Sequence, residues 1–296
     1  MSDESPVLDE AYDRLAWAGF ELPNGFVNHG PMACEALATL GRDDEVDEWA
    51  RRFAQAGGTA VEPVRTASFD WQDALGDYRR LPEWIGYLEA SIADDGWRAV
   101  VEGWVPRLMP GLAVALFHGA IRTAHAVRAL DAAETPARQA ELARALGYWA
   151  ARFRPGQAPV GDEGEVEDPS LAVTRAAGDG ARRYLSRPDI LNLHGVTGAM
   201  AVQIFVDHIP PSAGAAGLAQ VHAEHAALYR GTEPVTEVDV TGVAGDELAR
   251  VAEATGDPHA VKLVEACRRG LAATGDPVFA AAAEVVTGRR RPVHGG

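Results

Sequence analysis

Apolar residues recur every three or four positions along most of this chain, the spacing that gives a helix one buried face. Pro31 to Leu40 carries Met32, Ala36, Leu37 and Leu40 on one stripe, with a proline at its start and Gly41 at its end. From Asp70 to Ala90 the stripe is Trp71, Leu75, Tyr78, Leu81, Trp84 and Leu88, split at Pro82. Pro110 to Leu130 is the longest periodic segment, and Ala137 to Phe153 is another. Asp189 to Ile209 is apolar at Ile190, Leu193, Val202 and Phe205 and stops at Pro210-Pro211, and Leu218 to Tyr229 follows. Thr255-Gly256-Asp257-Pro258 and Thr274-Gly275-Asp276-Pro277 repeat one punctuation. In each, Gly closes one helix, Asp caps the next and Pro takes its first position, which predicts an antiparallel helical hairpin. Alternation of the strand type is confined to Val235–Val240. The fold class is therefore all-α, and we expect a single multi-helix domain over residues 1–296 whose helices converge on a central pocket. The acidic, Gly/Pro-bearing stretch 155–169 reads as a surface loop inside that domain, and 287–296 as a flexible tail.

Composition narrows the function classes. With 296 residues, 47% of them apolar, the chain has ample material for a core. The segment Met1-Ser2-Asp3-Glu4-Ser5 lacks the basic end and apolar stretch of a signal peptide. The longest apolar run, around Leu112–Phe117, ends at His118, far short of a membrane span. Cys34 and Cys267 provide no disulfide framework, so a soluble cytoplasmic protein is expected. A formal net charge of -16 opposes binding to nucleic acid or to anionic lipid, both of which need a basic face. The one basic cluster, Arg289-Arg290-Arg291, reads as a solvated terminus. Oligomeric state is not legible.

One count stands out. Of the 27 Lys and Arg residues, Lys262 is the only lysine. In an Ala-, Gly- and Arg-rich chain that replaces lysine by arginine wherever a positive charge suffices, a retained amine raises the question of what a guanidinium cannot do. Lysine, unlike arginine, loses its proton at accessible pH when buried and can then act as a nucleophile or be modified.

Familiar chemical motifs are missing: no GxGxxG, GxxxxGK[ST], HExxH, CxxC pair or GxSxG occurs, which argues against a nucleotide fold of the usual kind and against the simplest hydrolase. What remains is histidine. His29, His118, His125, His194, His208 and His259 fall inside or at the edge of apolar helical segments, whereas His222, His225 and His294 read as surface or tail. Imidazole is the commonest protein ligand for mid-row metals, and equally a good core residue when bonded to backbone. His118 and His125 share one helix face, two turns and roughly 10.5 Å apart along the axis. Gly195 and Gly198 beside His194 allow close backbone approach, and His259 and Lys262 sit at i and i+3 on one face. The residues alone lead to a helical protein whose histidines are either metal ligands or buried structural groups.

Three segments carry a resemblance: Asn28-His29-Gly30-Pro31-Met32-Ala33-Cys34-Glu35-Ala36-Leu37, Phe117-His118-Gly119-Ala120-Ile121-Arg122-Thr123-Ala124-His125, and Leu193-His194-Gly195-Val196-Thr197-Gly198. With Asp257-Pro258-His259-Ala260-Val261-Lys262-Leu263 they resemble the questin-oxidase family. That resemblance implies oxygenative ring cleavage of an aromatic polyketide or quinone by O2 at an Fe(II) centre. It further implies histidine ligands plus a lysine modified to a carbamate, for which Arg could not replace Lys262. Carried onto this chain, the ligand set is His29, His118, His125, His194 and Lys262. His259 joins Lys262 as a catalytic candidate and is the reserve ligand, and Glu35, Arg122 and Thr197 orient imidazoles or substrate. The departure is Arg122, which stands where the fungal members place a second histidine. Two other readings keep the same pocket: a metal-free, NADPH-dependent oxidase of the Baeyer–Villiger type, and a non-catalytic binder of an aromatic metabolite.

Overall fold

The structure, a computed structural model, describes residues 6–56, 58–66, 68–159, 166–240, 242 and 245–291. It is all-α: helices account for nearly all regular structure, and the only strand-type pairing among the described residues is one antiparallel bridge between Glu21 and Val27. Val235–Val240 forms no strand, and its Val235 amide donates instead to the Arg182 carbonyl at 3.3 Å. No helix among the described residues is long and apolar enough to cross a membrane. The chain divides into two compact units, Met1–Gly156 and Gln157–Gly296.

The first unit holds α1 (Pro6–Leu15), α2 (Gly30–Thr39), α3 (Asp43–Ala56), α4 (Trp71–Ala74), α5 (Leu81–Asp95), α6 (Trp97–Leu108), α7 (His118–Ala132) and α8 (Pro136–Arg152). Its core is built on α8, which packs against α7 and α5, while α2 lies on α7. Trp84 and Trp149 are completely buried, and each indole N–H donates to a backbone carbonyl, Ala74 and Gly111 respectively, so neither burial leaves an unpaired donor. Trp84 and Trp104 meet edge to face within this core.

One element starts later than its pattern suggests. The apolar period from Pro110 to Leu130 predicts one helix, yet α7 begins only at His118. Ala115, Leu116 and Phe117 take φ of 49°, 55° and 65°, a run of left-handed residues without a glycine. Each such residue crowds its Cβ against the backbone, a conformation that local propensity does not favour and that only surrounding structure can hold. The run ends at Phe117, the N-cap of α7, and His118 is the first residue of that helix.

The second unit holds α9 (Pro169–Ser186), α10 (Ile190–Val206), α11 (Pro211–Leu228), α12 (Gly245–Ala254), α13 (Pro258–Thr274) and α14 (Val278–Val286). The repeated punctuation forms the expected hairpin. Gly275 closes α13 at φ 68°, and the Asp276 carboxylate accepts from the Val278 amide at 3.0 Å. Gly270 has no Cβ because the ring of Phe279 occupies that place, which lets α14 close onto α13. Part of the acidic loop 155–169 and the tail beyond Arg291 lie outside the described residues. The described part of the tail is largely exposed but bonded: the Arg289 amide donates to the Glu284 carbonyl at 2.8 Å and its side chain pairs with Glu247 at 2.9 Å.

Candidate metal centre

His29 is the N-cap residue of α2, and its neighbours fix it. The Asn28 side chain donates to the Gly19 carbonyl at 3.1 Å and accepts from the Gly30 amide at 3.0 Å, which locks the turn. Gly30 must be glycine, because a Cβ there would sit 2.7 Å from Leu15 and 2.8 Å from Phe53. His118, opening α7, stacks on His29 with ring centroids 4.7 Å apart, and their Nε2 atoms face each other at 2.5 Å. Gly119 gives up its side chain to the indole of Trp149 on α8, holding the first turn of α7 in place.

His194 lies one turn into α10 and is fully buried, and His259 lies in the first turn of α13. Their rings meet edge to face at 5.2 Å. Asp257 caps α13 and uses the same Oδ1 twice, accepting from the His259 amide at 2.9 Å and from its Nδ1 at 2.8 Å. That bond from His259 holds the Asp257 carboxyl below its usual range, against the opposing effect of burial.

The tautomers follow from these partners. His118 Nδ1 lies 2.5 Å from the Ala115 carbonyl and His194 Nδ1 lies 2.7 Å from the Ile190 carbonyl. A carbonyl or carboxylate oxygen only accepts, so in the neutral rings of His118, His194 and His259 the proton sits on Nδ1 and Nε2 carries the lone pair. This is the arrangement that orients a metal-ligating imidazole and raises its basicity. Each unit thus holds one pair of close imidazoles, His29 with His118 in the first and His194 with His259 in the second. Neutral nitrogen donors of this kind suit a mid-row metal better than calcium or magnesium, which want oxygen.

The other candidates have different surroundings. His125 belongs to neither histidine pair. Its Nδ1 contacts Glu35 at 2.5 Å, and Arg128 grips the same carboxylate with its Nε at 2.7 Å. Burial pushes the Glu35 carboxyl up, but the charges of Arg128 and His125 outweigh it and hold the group well below the usual range. Glu35 thus orients His125 and not the four histidines. Arg122 is buried in a two-pronged pair with Glu141 (2.6 and 2.8 Å) beneath the Phe20 ring, and Thr197 bonds the Leu193 and His194 carbonyls of its own helix. Lys262, one turn beyond His259, is buried, and its Nζ has no hydrogen-bond partner among the described residues. Burial lowers its amine to about 7.

Three parts of these surroundings are not legible from the sequence in the same way. Asp257 reads as a helix cap but not as a partner of His259, although an Asp two residues before a His in a first turn is a usable signal. The Ala115 carbonyl carries no signal, since its position depends on the left-handed run before His118. His225, which reads as surface, is buried; its Nε2 lies 3.0 Å from the Gly195 carbonyl, and desolvation lowers the ring to about 4. It lies on the buried stripe of its helix, with Gly214, Gly217, Leu218 and Val221 at three- and four-residue intervals before it.

No family model and no curated protein matches this chain.

Proposed function

We propose that this chain is a metal-dependent oxidoreductase that binds Fe(II) through histidines, His29 and His118 of the first unit and His194 and His259 of the second, and uses O2 to open the ring of an aromatic polyketide or quinone. The observation that carries the reading is the two histidine pairs, with three of the four rings fixed on Nδ1 by oxygen acceptors. A structural histidine needs one partner. Paired imidazoles whose remote nitrogens are already held have the donor set of a metal site. The reaction class rests on the resemblance to the questin-oxidase family in the segments around His29, His118, His194 and Lys262.

In this reading the bound metal supplies a Lewis acid that polarises O2 or a substrate oxygen. The protein's part is separate. Ala115, Ile190 and Asp257 hold three imidazoles in one tautomer. Lys262 offers an amine without a hydrogen-bond partner among the described residues, lowered by burial to about 7, so that a large share of it is neutral near pH 7, the state that carbamate formation and a general base both require. The orphaned, desolvated Nζ also favours one alternative, a metal-free reaction in which Lys262 is the base and NADPH the reductant.

Oxygen uptake with a hydroxyanthraquinone decides between them. The proposal expects consumption by iron-loaded protein without NADPH, and none by His194→Ala. Uptake that needs NADPH and persists in metal-stripped protein would replace it with the metal-free reaction. Ligand-induced stabilisation with no oxygen consumption would leave a binding protein.

A further inference from the structure

A cavity of about 720 Å³ opens in the first unit beside His118, with the left-handed residues Ala115 and Leu116 in its wall. Its charges are unevenly matched. The Glu21 carboxylate accepts from Arg152 at 2.8 and 2.5 Å and from the Tyr148 hydroxyl at 3.0 Å, while the Arg152 guanidinium lies 3.7 Å over the Tyr78 ring. Asp77 is taken by Arg79 at 2.7 Å. Both carboxylates in the wall are therefore neutralised by cations of their own.

Arg154 is the surplus. Its Nη1 donates to the Gly76 and Phe153 carbonyls at 2.6 Å, and it makes no ion pair with any carboxylate among the described residues. Those two bonds fix the guanidinium at the pocket edge and leave its charge uncompensated, in a chain of net charge -16. The placement depends on Gly76. At φ 78° that position favours glycine, and a Cβ there would collide with Arg154 Nη1. Phe26, 68% exposed, also lines the cavity, presented by a tight turn in which Gly25 takes φ 82° and the Leu22 amide donates to the Phe26 carbonyl. Tyr78, Leu116 and Phe26 supply apolar surface for a flat molecule, and Arg154 supplies a fixed donor fork for an anionic oxygen.

We infer that this cavity binds a planar aromatic molecule bearing an ionised oxygen, its anionic end on Arg154 and its ring against Phe26 and Leu116. The inference rests on the metal reading only in naming that ligand as the substrate, since the cavity borders His118. Binding itself is tested without metal. Fluorescence titration of 2-naphthoate into metal-free, full-length protein should saturate. Arg154→Gln should weaken it about tenfold or more, the scale of one charge-assisted contact, with no change in Tm because Arg154 is exposed. The neutral isostere 2-naphthamide should bind wild type with a similar penalty. Failure of 2-naphthoate to saturate, or equal affinity in Arg154→Gln, overturns the inference. Saturable, Arg154-dependent binding supports it even if the same protein takes up no metal.

Discussion

At the scale of single residues, Lys262 is the most informative position, and composition alone marks it. A buried amine without a hydrogen-bond partner is costly, because desolvation opposes its charged form and outweighs the favourable charge of Asp257. The sign of the pH effect follows. In the unfolded chain the amine stays protonated to its ordinary value near 10.5, whereas in the folded chain it is neutral above about 7. Between those values the unfolded state binds more protons, so stability rises with pH through that window and the full penalty applies below it. Lys262→Met should therefore stabilise the metal-free protein by several kcal/mol at pH 7 and below, since each tenfold loss of proton affinity on folding costs about 1.4 kcal/mol. The gain should vanish near pH 10. Urea unfolding at pH 6.5 and pH 10 measures it, and a variant no more stable than wild type at pH 6.5 would mean that Lys262 carries no buried penalty. Retaining such a residue is expected where function needs it.

At the scale of elements, the helices are legible in the sequence wherever pattern and punctuation agree. The α13–α14 hairpin is readable because Gly275, Asp276 and Pro277 each act locally, through a left-handed close, a cap and a fixed φ. The entry to α7 is not readable, because Ala115, Leu116 and Phe117 are ordinary residues held in left-handed conformation by their surroundings. No composition signal marks such a run. Its consequence is chemical: it sets the Ala115 carbonyl against His118 Nδ1. Ala115→Gly should relieve the Cβ contact and stabilise the fold by about 1 kcal/mol. Denaturant unfolding checks this. A loss of stability instead would show that Ala115 is not strained there.

At the scale of the whole molecule, the all-α class and the relevance of histidine are visible in the sequence, while the choice among histidines is not. His29, His118, His194 and His259 lie far apart along the chain, so no local spacing joins them. His125 shares a helix with His118, and periodicity makes it the better partner. The fold assigns it instead to Glu35 and Arg128, which only the approach of α2 to α7 reveals. His259 reads as the reserve once His125 is taken as the fourth ligand, and what distinguishes it is the Asp257 cap that also holds its ring. The proposed function requires that these histidines bind metal, which metal content measures. Tag-free protein reconstituted anaerobically with Fe(II) and measured by plasma mass spectrometry should hold near-stoichiometric iron in wild type and in His125→Gln. His118→Ala and His259→Ala should lose it while keeping their helical circular dichroism. Metal-free wild type, or iron lost in His125→Gln and kept in His259→Ala, would contradict the assignment.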